Sequence, residues 1–325
     1  MKAPSAFITG IAGFAGSYLA EELLDAGFKV SGAIYKNEST RNIVSIKKEL
    51  QLCSLDIMNA DKTANVLAQI QPDYIFHLAA FASVGRSMQK ERATFRINLE
   101  GSINILNGAR KIRRLKSILV VGSADAYGKF TPKTKTLTET DPLNPVSPYG
   151  ISKAALERTS LHYHREYGLP VVIARPFNHS GPRQTDDFVI PAFARQVAAI
   201  EAGLQQPVVD VGDLSARRDL SDVRDIVRGY TLAATKGTPG EVYVLCSGRA
   251  VSIQTVLNKL ISLSSRKIRQ RVDKKRLRKS EIPVLRGSNR KATHNLGFDV
   301  RYTLKDTLSD TLDYWRSELG VDYST

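Results

Sequence analysis

Tyr149 and Lys153 stand four residues apart in Tyr149-Gly-Ile-Ser-Lys153, at the head of a helix-like segment. On a helix, that spacing puts both side chains on one face, one turn apart. A tyrosine beside an ammonium has its phenolate favoured, so its pKa falls toward working pH. It can then pass a proton to or from a carbinol oxygen. Pairs of this kind are common by chance, but Ser123 strengthens the case. It ends an apolar run in VVGSADAYG, where a hydroxyl can hydrogen-bond both a substrate oxygen and the tyrosine. A second group of residues is suited to an anion. Gly10-Ile-Ala-Gly13-Phe-Ala-Gly16 follows the first strand-like run and opens the first helix. Glycine there lets the backbone approach a pyrophosphate, and the free N–H groups of the helix start favour negative charge.

Elements that could position these groups alternate along the chain. Strands are expected at Ala6–Thr9, Phe28–Tyr35, Gln51–Leu55, Tyr74–Ala79, Ser117–Val121 and Val171–Arg175. Helices are expected at Ser17–Ala26, Ala60–Gln69, Asn98–Ile112 and Tyr149–Tyr167. Strands alternating with helices predict an α/β fold, a Rossmann-type doubly wound parallel sheet. Apolar runs such as IFHLAA, SILVVGS and VVIAR fit strands buried on both faces. The pattern loosens after Arg175. The expected division is a dinucleotide-binding domain over 1–175 and a smaller substrate lobe, mainly 176–325, that interleaves with it and returns the last strands to the sheet. Phe188–Ala202, Val208–Val211, Glu241–Cys246 and an amphipathic helix over 303–319 belong to that half.

The second strand ends in Val30-Ser-Gly-Ala-Ile-Tyr35-Lys36. It lacks the acid that holds the ribose diol of NAD, and it ends in a cation. Lys36 or Arg41 could meet the 2′-phosphate of NADP(H), which is favoured, with NAD(H) possible. Asp56-Ile57 ends the third strand, where the carboxylate could take an adenine amino group or cap the next helix.

The chain has 325 residues and a net charge of +15, from 47 Lys and Arg against 32 Asp and Glu. Its length suits two lobes, and its composition excludes wholesale disorder. No apolar run is long enough for a membrane span, and the N-terminus lacks the apolar core of a signal peptide. A cytoplasmic protein with no membrane partner is expected. Cys53 and Cys246 are too few for a disulfide framework or a four-thiolate metal site, and both are expected to be buried thiols. His162 and His164 point apart on their helix, and His77 sits in a buried strand, so no metal site is expected. Residues 266–305 hold fourteen Lys and Arg against three acids, a net of +11. A nucleic-acid patch, an anionic small-molecule site and a solvated face compete for that block. Its cations are not interleaved with stacking aromatics, so nucleic acid is not the expected partner.

Taken together, GIAGFAG, Asp56-Ile57, HLAA at 77–80, Asn98 in INLEGSINIL, GSADAYG, SPYGISK and RPFNHSGP resemble the extended short-chain dehydrogenase/reductases, the NAD-dependent epimerase/dehydratase group. The resemblance runs over roughly residues 5–318. It implies a catalytic triad of Ser123, Tyr149 and Lys153. It also implies a cofactor site of Gly10, Gly13, Phe14, Ala15, Gly16, Lys36, Asp56, Ile57, Leu78, Ala79, Ala80, Asn98, Val121, Pro176 and His179, with Tyr149 and Lys153. A homodimer through the helices near 92–112 and 149–167 is implied as well.

Motifs further along are similar to the GDP-mannose branch, and most to its GDP-6-deoxy-mannose reductases. They are Asn178-His179, Asp187-Phe188-Val189, VGDLSARRDLSDVRD and RLRKSEIPVLRGSNRKA. The similarity implies reduction of the 4-keto group of a GDP-4-keto-6-deoxyhexose, with Tyr149 protonating the alkoxide. Arg218 and Arg278 would clamp the diphosphate, and Glu281 would accept ribose hydroxyls. Ser83, Ser123, Asp125, Asn178 and Val189 would complete the sugar and base contacts. Asp125 stands where the dehydratases carry a glutamate base, one methylene longer, and Lys279 replaces a proline usual in the reductases. The alternatives are a GDP-mannose 4,6-dehydratase, a 4-epimerase that keeps its NAD, and a non-catalytic nucleic-acid-binding relative.

Overall fold

The computed structural model describes residues 3–130, 135–277 and 282–320. The first half is built from β1 (Ser5–Thr9), α1 (Phe14–Asp25), β2 (Lys29–Ile34), β3 (Gln51–Ser54), α2 (Ala60–Ile70) and β4 (Tyr74–His77). Two short turns of helix, α3 (Val84–Ser87) and α4 (Glu91–Phe95), lead to α5 (Ser102–Ala109). Then come β5 (Ser117–Val121), α6 (Pro148–Tyr167) and β6 (Val171–Pro176). Local chemistry sets the helix ends. Ser147 accepts from Gly150 N at 3.1 Å, Pro148 takes the first helical position, and Gly168 closes α6 at φ 65°. Asn59, not Asp56, caps α2.

β7 (Asn178–Ser180), α7 (Val189–Glu201), β8 (Val208–Val211) and β9 (Arg217–Asp222) follow. Next are α8 (Val223–Lys236), β10 (Val242–Leu245), β11 (Ala250–Ser252), α9 (Ile253–Ser262) and β12 (Arg269–Val272). β13 (Val284–Leu285), α10 (Arg290–Leu296) and α11 (Leu304–Glu318) complete the described chain.

Seven parallel strands form the central sheet in the order β10-β6-β5-β4-β1-β2-β3. The chain winds outward from β1 to β3, then returns beside β1 as β4 and winds the other way. The two directions part between β1 and β4, and this places a crevice at the carboxyl ends of those strands. One face packs on α1, α8 and α10 through Leu19, Leu23, Ile226, Tyr230 and Leu296. The other packs on α2, α5 and α6 through Leu67, Ile105, Leu106 and Leu156. A separate core joins α7, α9 and α11, with Phe193, Val197, Leu257, Leu308 and Leu312 fully or nearly buried.

The helix expected from Asn98 starts later. Residues Arg96–Gly101 form a π-helical turn, and α5 begins at Ser102. α8 and α9 were not anticipated from the sequence. Asp222 caps α8 by accepting from Arg224 N, and Ser252 caps α9 by accepting from Thr255 N. Cys246 is buried, whereas Cys53 is only half-buried because β3 is the sheet edge.

Candidate active site

Gly10 leaves β1 at φ +73°, and a Cβ there would lie 3.1 Å from Ala79 N. The turn therefore sits against the end of β4. No side chain caps α1, and no acid occupies its first turn, so its N–H groups remain suited to an anion. Thr9, at the end of β1, fixes the neighbouring strand. Its Oγ1 accepts from Leu78 N and Ala79 N at 3.1 Å each and donates to His77 Nδ1 at 2.8 Å. His77 Nε2 then donates to Ser102 Oγ at 2.7 Å. Burial lowers the His77 pKa to about 3, so the ring is neutral. Its role is to hold the backbone of residues 78 and 79 in place.

A cleft of about 820 Å³ opens over these strand ends. Gly10, Gly13, Phe14, Ala15 and Gly16 line one end, with Asp56 and Ile57 after β3 and Leu78, Ala79 and Ala80 after β4. Val121 and Ser123 after β5, Pro176 after β6, and Tyr149 and Lys153 from α6 line its middle. Ser83, Asp125, Asn178, His179, Val189 and Arg218 line it as well. Asp56 Oδ1 turns back to accept from Met58 N at 2.9 Å, and His179 stacks on Phe14 with ring centroids 6.0 Å apart.

Three expected residues fall elsewhere. Lys36 does not line the cleft. It is exposed just beyond β2, because the chain turns there through Asn37 at φ 62°. Asn98 is fully buried behind the wall: its Oδ1 accepts from Phe81 N at 2.7 Å, and its Nδ2 donates to Ser152 Oγ at 2.9 Å. It braces the loop after β4 against α6. Arg41, the other candidate for a 2′-phosphate, is held by Glu318 and Tyr314 of α11. Arg278 and Glu281 lie outside the described residues.

Ser123, Asp125 and Tyr149 converge. Ser123 Oγ lies 3.3 Å from Asp125 Oδ2 and accepts from Asp125 N at 3.1 Å. Burial raises the Asp125 carboxyl, against the pull of Arg218 and Ser123. Arg218 pairs with neither Asp219 nor Asp222. Its Nη1 donates to the carbonyls of Arg217 and Ile282, while Asp219 accepts from Ser247 and Gly248 and Asp222 is held by Arg224.

The expectation that Lys153 depresses the Tyr149 pKa does not hold. Burial, and then Asp125, raise the phenol, and only a hydrogen bond with Ser123 opposes them. Lys153 Nζ donates instead to Val121 O at 2.7 Å and stands 5.9 Å from the Tyr149 ring centroid. Burial lowers its own pKa to about 8. A phenol held protonated is the form that can give a proton to a developing alkoxide.

Several cleft residues escaped sequence reasoning: Tyr35, Glu38, Met58, Gln184, Phe188 and Tyr230. Glu38 had a usable signal. An acid two residues past Lys36 returns to the cleft through the Asn37 turn, and its Oε2 accepts from Tyr35 N at 2.8 Å. Tyr230 comes from α8, an element the sequence had not revealed. Among the described residues no group of His, Cys, Asp and Glu could hold a metal ion, and no helix is long and apolar enough to cross a membrane.

The chain is similar to several proteins named for reactions of nucleotide sugars. The chain is 29% identical to GDP-6-deoxy-D-mannose reductase of Pseudomonas aeruginosa over 96% of its own length and 97% of that protein. It is 29% identical to GDP-mannose 4,6 dehydratase 1 of Arabidopsis thaliana over 90% of its length and 84% of that protein. Its structure is similar to that of RMD from Pseudomonas aeruginosa complexed with NADPH, with a TM-score of 0.83, 29% identity, and 97% and 100% of the two chains covered. The family model for GDP-mannose 4,6 dehydratase matches residues 7–311, from β1 into α11, and the chain belongs to that family.

Proposed function

We propose that the chain is an NAD(P)H-dependent reductase of GDP-4-keto-6-deoxy-D-mannose, serving deoxysugar synthesis. The observation that carries this reading is the convergence of Tyr149, Ser123 and Lys153 in one cleft with the α1 glycine turn. The turn fits a dinucleotide, since its glycines admit close backbone contact and its helix start carries no competing acid. Gly10, Gly13, Phe14, Ala15 and Gly16 would hold the pyrophosphate, Asp56 the adenine, and Lys153 the nicotinamide ribose. Once bound, the nicotinamide supplies hydride. Ser123 holds the keto oxygen, Tyr149 gives it a proton, and Lys153 keeps its positive charge nearby. Arg218 brings a positive charge to the cleft wall, where it would face a diphosphate. Asn178 and Val189 would position the sugar phosphate and guanine, and Arg278 and Glu281 the rest of the nucleotide. NADPH is favoured by the likeness to the NADPH complex.

A second reading, GDP-mannose 4,6-dehydratase, is favoured by Asp125. It is a half-buried carboxylate beside the catalytic hydroxyl, where it could take a proton next to the keto group. One assay separates the two. The purified protein is given GDP-mannose alone, and separately GDP-4-keto-6-deoxymannose with NADPH or NADH. Stoichiometric cofactor oxidation in the second tube alone supports the reductase. Keto sugar in the first tube without net cofactor use overturns it in favour of the dehydratase. A tightly retained oxidised NAD with epimerised sugar would mark an epimerase. A cytoplasmic homodimer through α5 and α6, where Ile151 and Tyr167 are exposed, belongs to the same reading and is checked by light scattering.

A further inference from the structure

Below the cleft, Glu157 and Arg175 form an ion pair shut off from solvent, their side chains 2% and 4% exposed. The guanidinium meets both carboxylate oxygens, with Nε donating to Oε1 at 3.1 Å and Nη2 to Oε2 at 2.6 Å. Its Nη1 donates to the Tyr127 hydroxyl at 2.7 Å, which in turn donates to Thr138 O. A buried pair like this costs more to desolvate than a well-packed apolar pair would, so its presence asks for a reason other than stability.

The surroundings supply one. Glu157 follows Lys153 by one turn of α6, on the same face. Its carboxylate occupies the space that a side chain at residue 122 would need: a Cβ on Gly122 would lie 2.3 Å from Oε1. Gly122 adjoins Val121, whose carbonyl takes the Lys153 ammonium at 2.7 Å. Ammonium and carboxylate therefore face adjacent residues, Val121 at the end of β5 and Gly122 just after it. Tyr149 faces Lys153 from its own helix, and His77 from β4, held neutral. Asp125 and Ser123 gather around the Tyr149 hydroxyl, with Tyr230 of α8 also near Tyr149. Arg175 and Tyr127 lie beyond Glu157. Burial pulls Lys153 down, and Glu157 pulls it back up.

We propose that the Glu157–Arg175 pair is a positioning device that sets the charge of Lys153, Glu157 holding the ammonium protonated and Arg175 limiting how strongly it does so. The proposal rests on the reading that Lys153 serves Tyr149, but its test does not depend on turnover.

Lys153 is buried but lines the cleft, so the midpoint of the pH dependence of its acetylation by acetic anhydride, followed by mass spectrometry on the full chain, reads its ionisation, while altered access changes only the plateau rate. Glu157→Gln leaves an uncompensated guanidinium near the ammonium, so Lys153 should lose its proton at a lower pH, by about one unit. Arg175→Gln leaves the anion unbalanced, so the shift should go the other way by a similar amount. The double variant, with a neutral pair, should fall between them. The alkaline limb of the turnover profile should move with the labelling. Opposite shifts support the proposal, because general damage to packing does not reverse sign between the two variants. Shifts in one direction, or none in either folded variant, overturn it. If Glu157→Gln does not fold, Arg175→Gln decides alone: an upward shift supports the proposal, and an unmoved titration refutes it. If the parent chain reduces no keto sugar, the functional reading fails while the labelling still decides this one.

Discussion

Gly16 is the position where the cofactor turn tolerates least. A Cβ there would sit 2.0 Å from Gly10 O and 2.9 Å from Gly10 C. Both are backbone atoms, so no rotamer change relieves the clash. Real Cβ contacts essentially never fall below 3.0 Å, so α1 and the Gly10 carbonyl must separate by about 1 Å. The same displacement carries the N–H groups of Phe14 and Ala15 away from the place where a pyrophosphate would lie. A misplacement of about 1 Å costs on the order of 10²-fold, or roughly 2.7 kcal/mol. Gly16→Ala should therefore weaken NADPH binding about 10²-fold, measured by cofactor fluorescence titration, and should lower Tm. Gly27→Ala is the control. Gly27 sits at φ +79° with nothing within 4 Å of its Cβ position, so alanine there adds only backbone strain of about 1–2 kcal/mol. It should lower Tm and leave NADPH affinity unchanged. A Gly16→Ala protein that melts like the parent and binds NADPH within about twofold would refute the argument.

Tyr149→Phe keeps the buried ring and removes the proton donor. Keto-sugar reduction should fall by about 10²–10⁴-fold, with NADPH affinity unchanged in a binding titration. Lys153 titrates near 8, and its charged form is the low-pH form. Activity should thus decline as pH rises through about 8, and a profile flat to pH 9.5 would contradict the role given to the ammonium. Glu38→Gln removes a carboxylate from the cleft wall just after β2, where a dinucleotide's ribose would lie, so the preference for NADPH over NADH should rise about tenfold in kcat/KM. Arg218→Lys keeps the charge but exchanges the planar guanidinium, which also ties down the Ile282 carbonyl, for a compact ammonium. It should raise the KM for the GDP-sugar by about 10–100-fold while leaving kcat within a few-fold.

Much of the sheet was legible because parallel strands buried on both faces read as short apolar runs. β5 matches SILVV residue for residue, and β6 differs by one position. Helix ends were less legible. α1 begins at Phe14, inside the glycine turn, because the turn itself is the first cap. α8 was hidden by composition: four polar or charged residues in VRDIVRGYT mask an apolar face that becomes evident only against α1. The Tyr149–Lys153 spacing was legible, but its electrostatics were not. Proximity in sequence says nothing of desolvation, and here burial outweighs the neighbouring ammonium for the phenol. Glu38 shows a related gap, since a side chain's address depends on a left-handed residue at 37 that asparagine tolerates and sequence alone does not demand.

The basic block between 266 and 305 takes on a definite geometry. β12 carries Arg269 and Arg271 on a wholly exposed edge, where Arg271 meets Asp210 of β8. Arg276 pairs with Asp273, Arg301 with Asp299, and Lys291 with Glu241. Such exposed pairs contribute little to stability, so folding alone does not account for the block. Downstream, β13 pairs with β9 at Arg217 and Arg218, and the Ile282 carbonyl accepts from Arg218 Nη1 at 2.9 Å. The segment is thus anchored at one end on the surface and at the other on the strand whose arginine lines the cleft. Screening confines each charge to about 8 Å at physiological salt. Only cations near the anchored end can act on a bound nucleotide, while those on β12 act on anions still in solution. The block is therefore mainly an exposed, ion-paired face, and the guanidinium beside the cleft is that of the half-buried Arg218 of β9, outside the block.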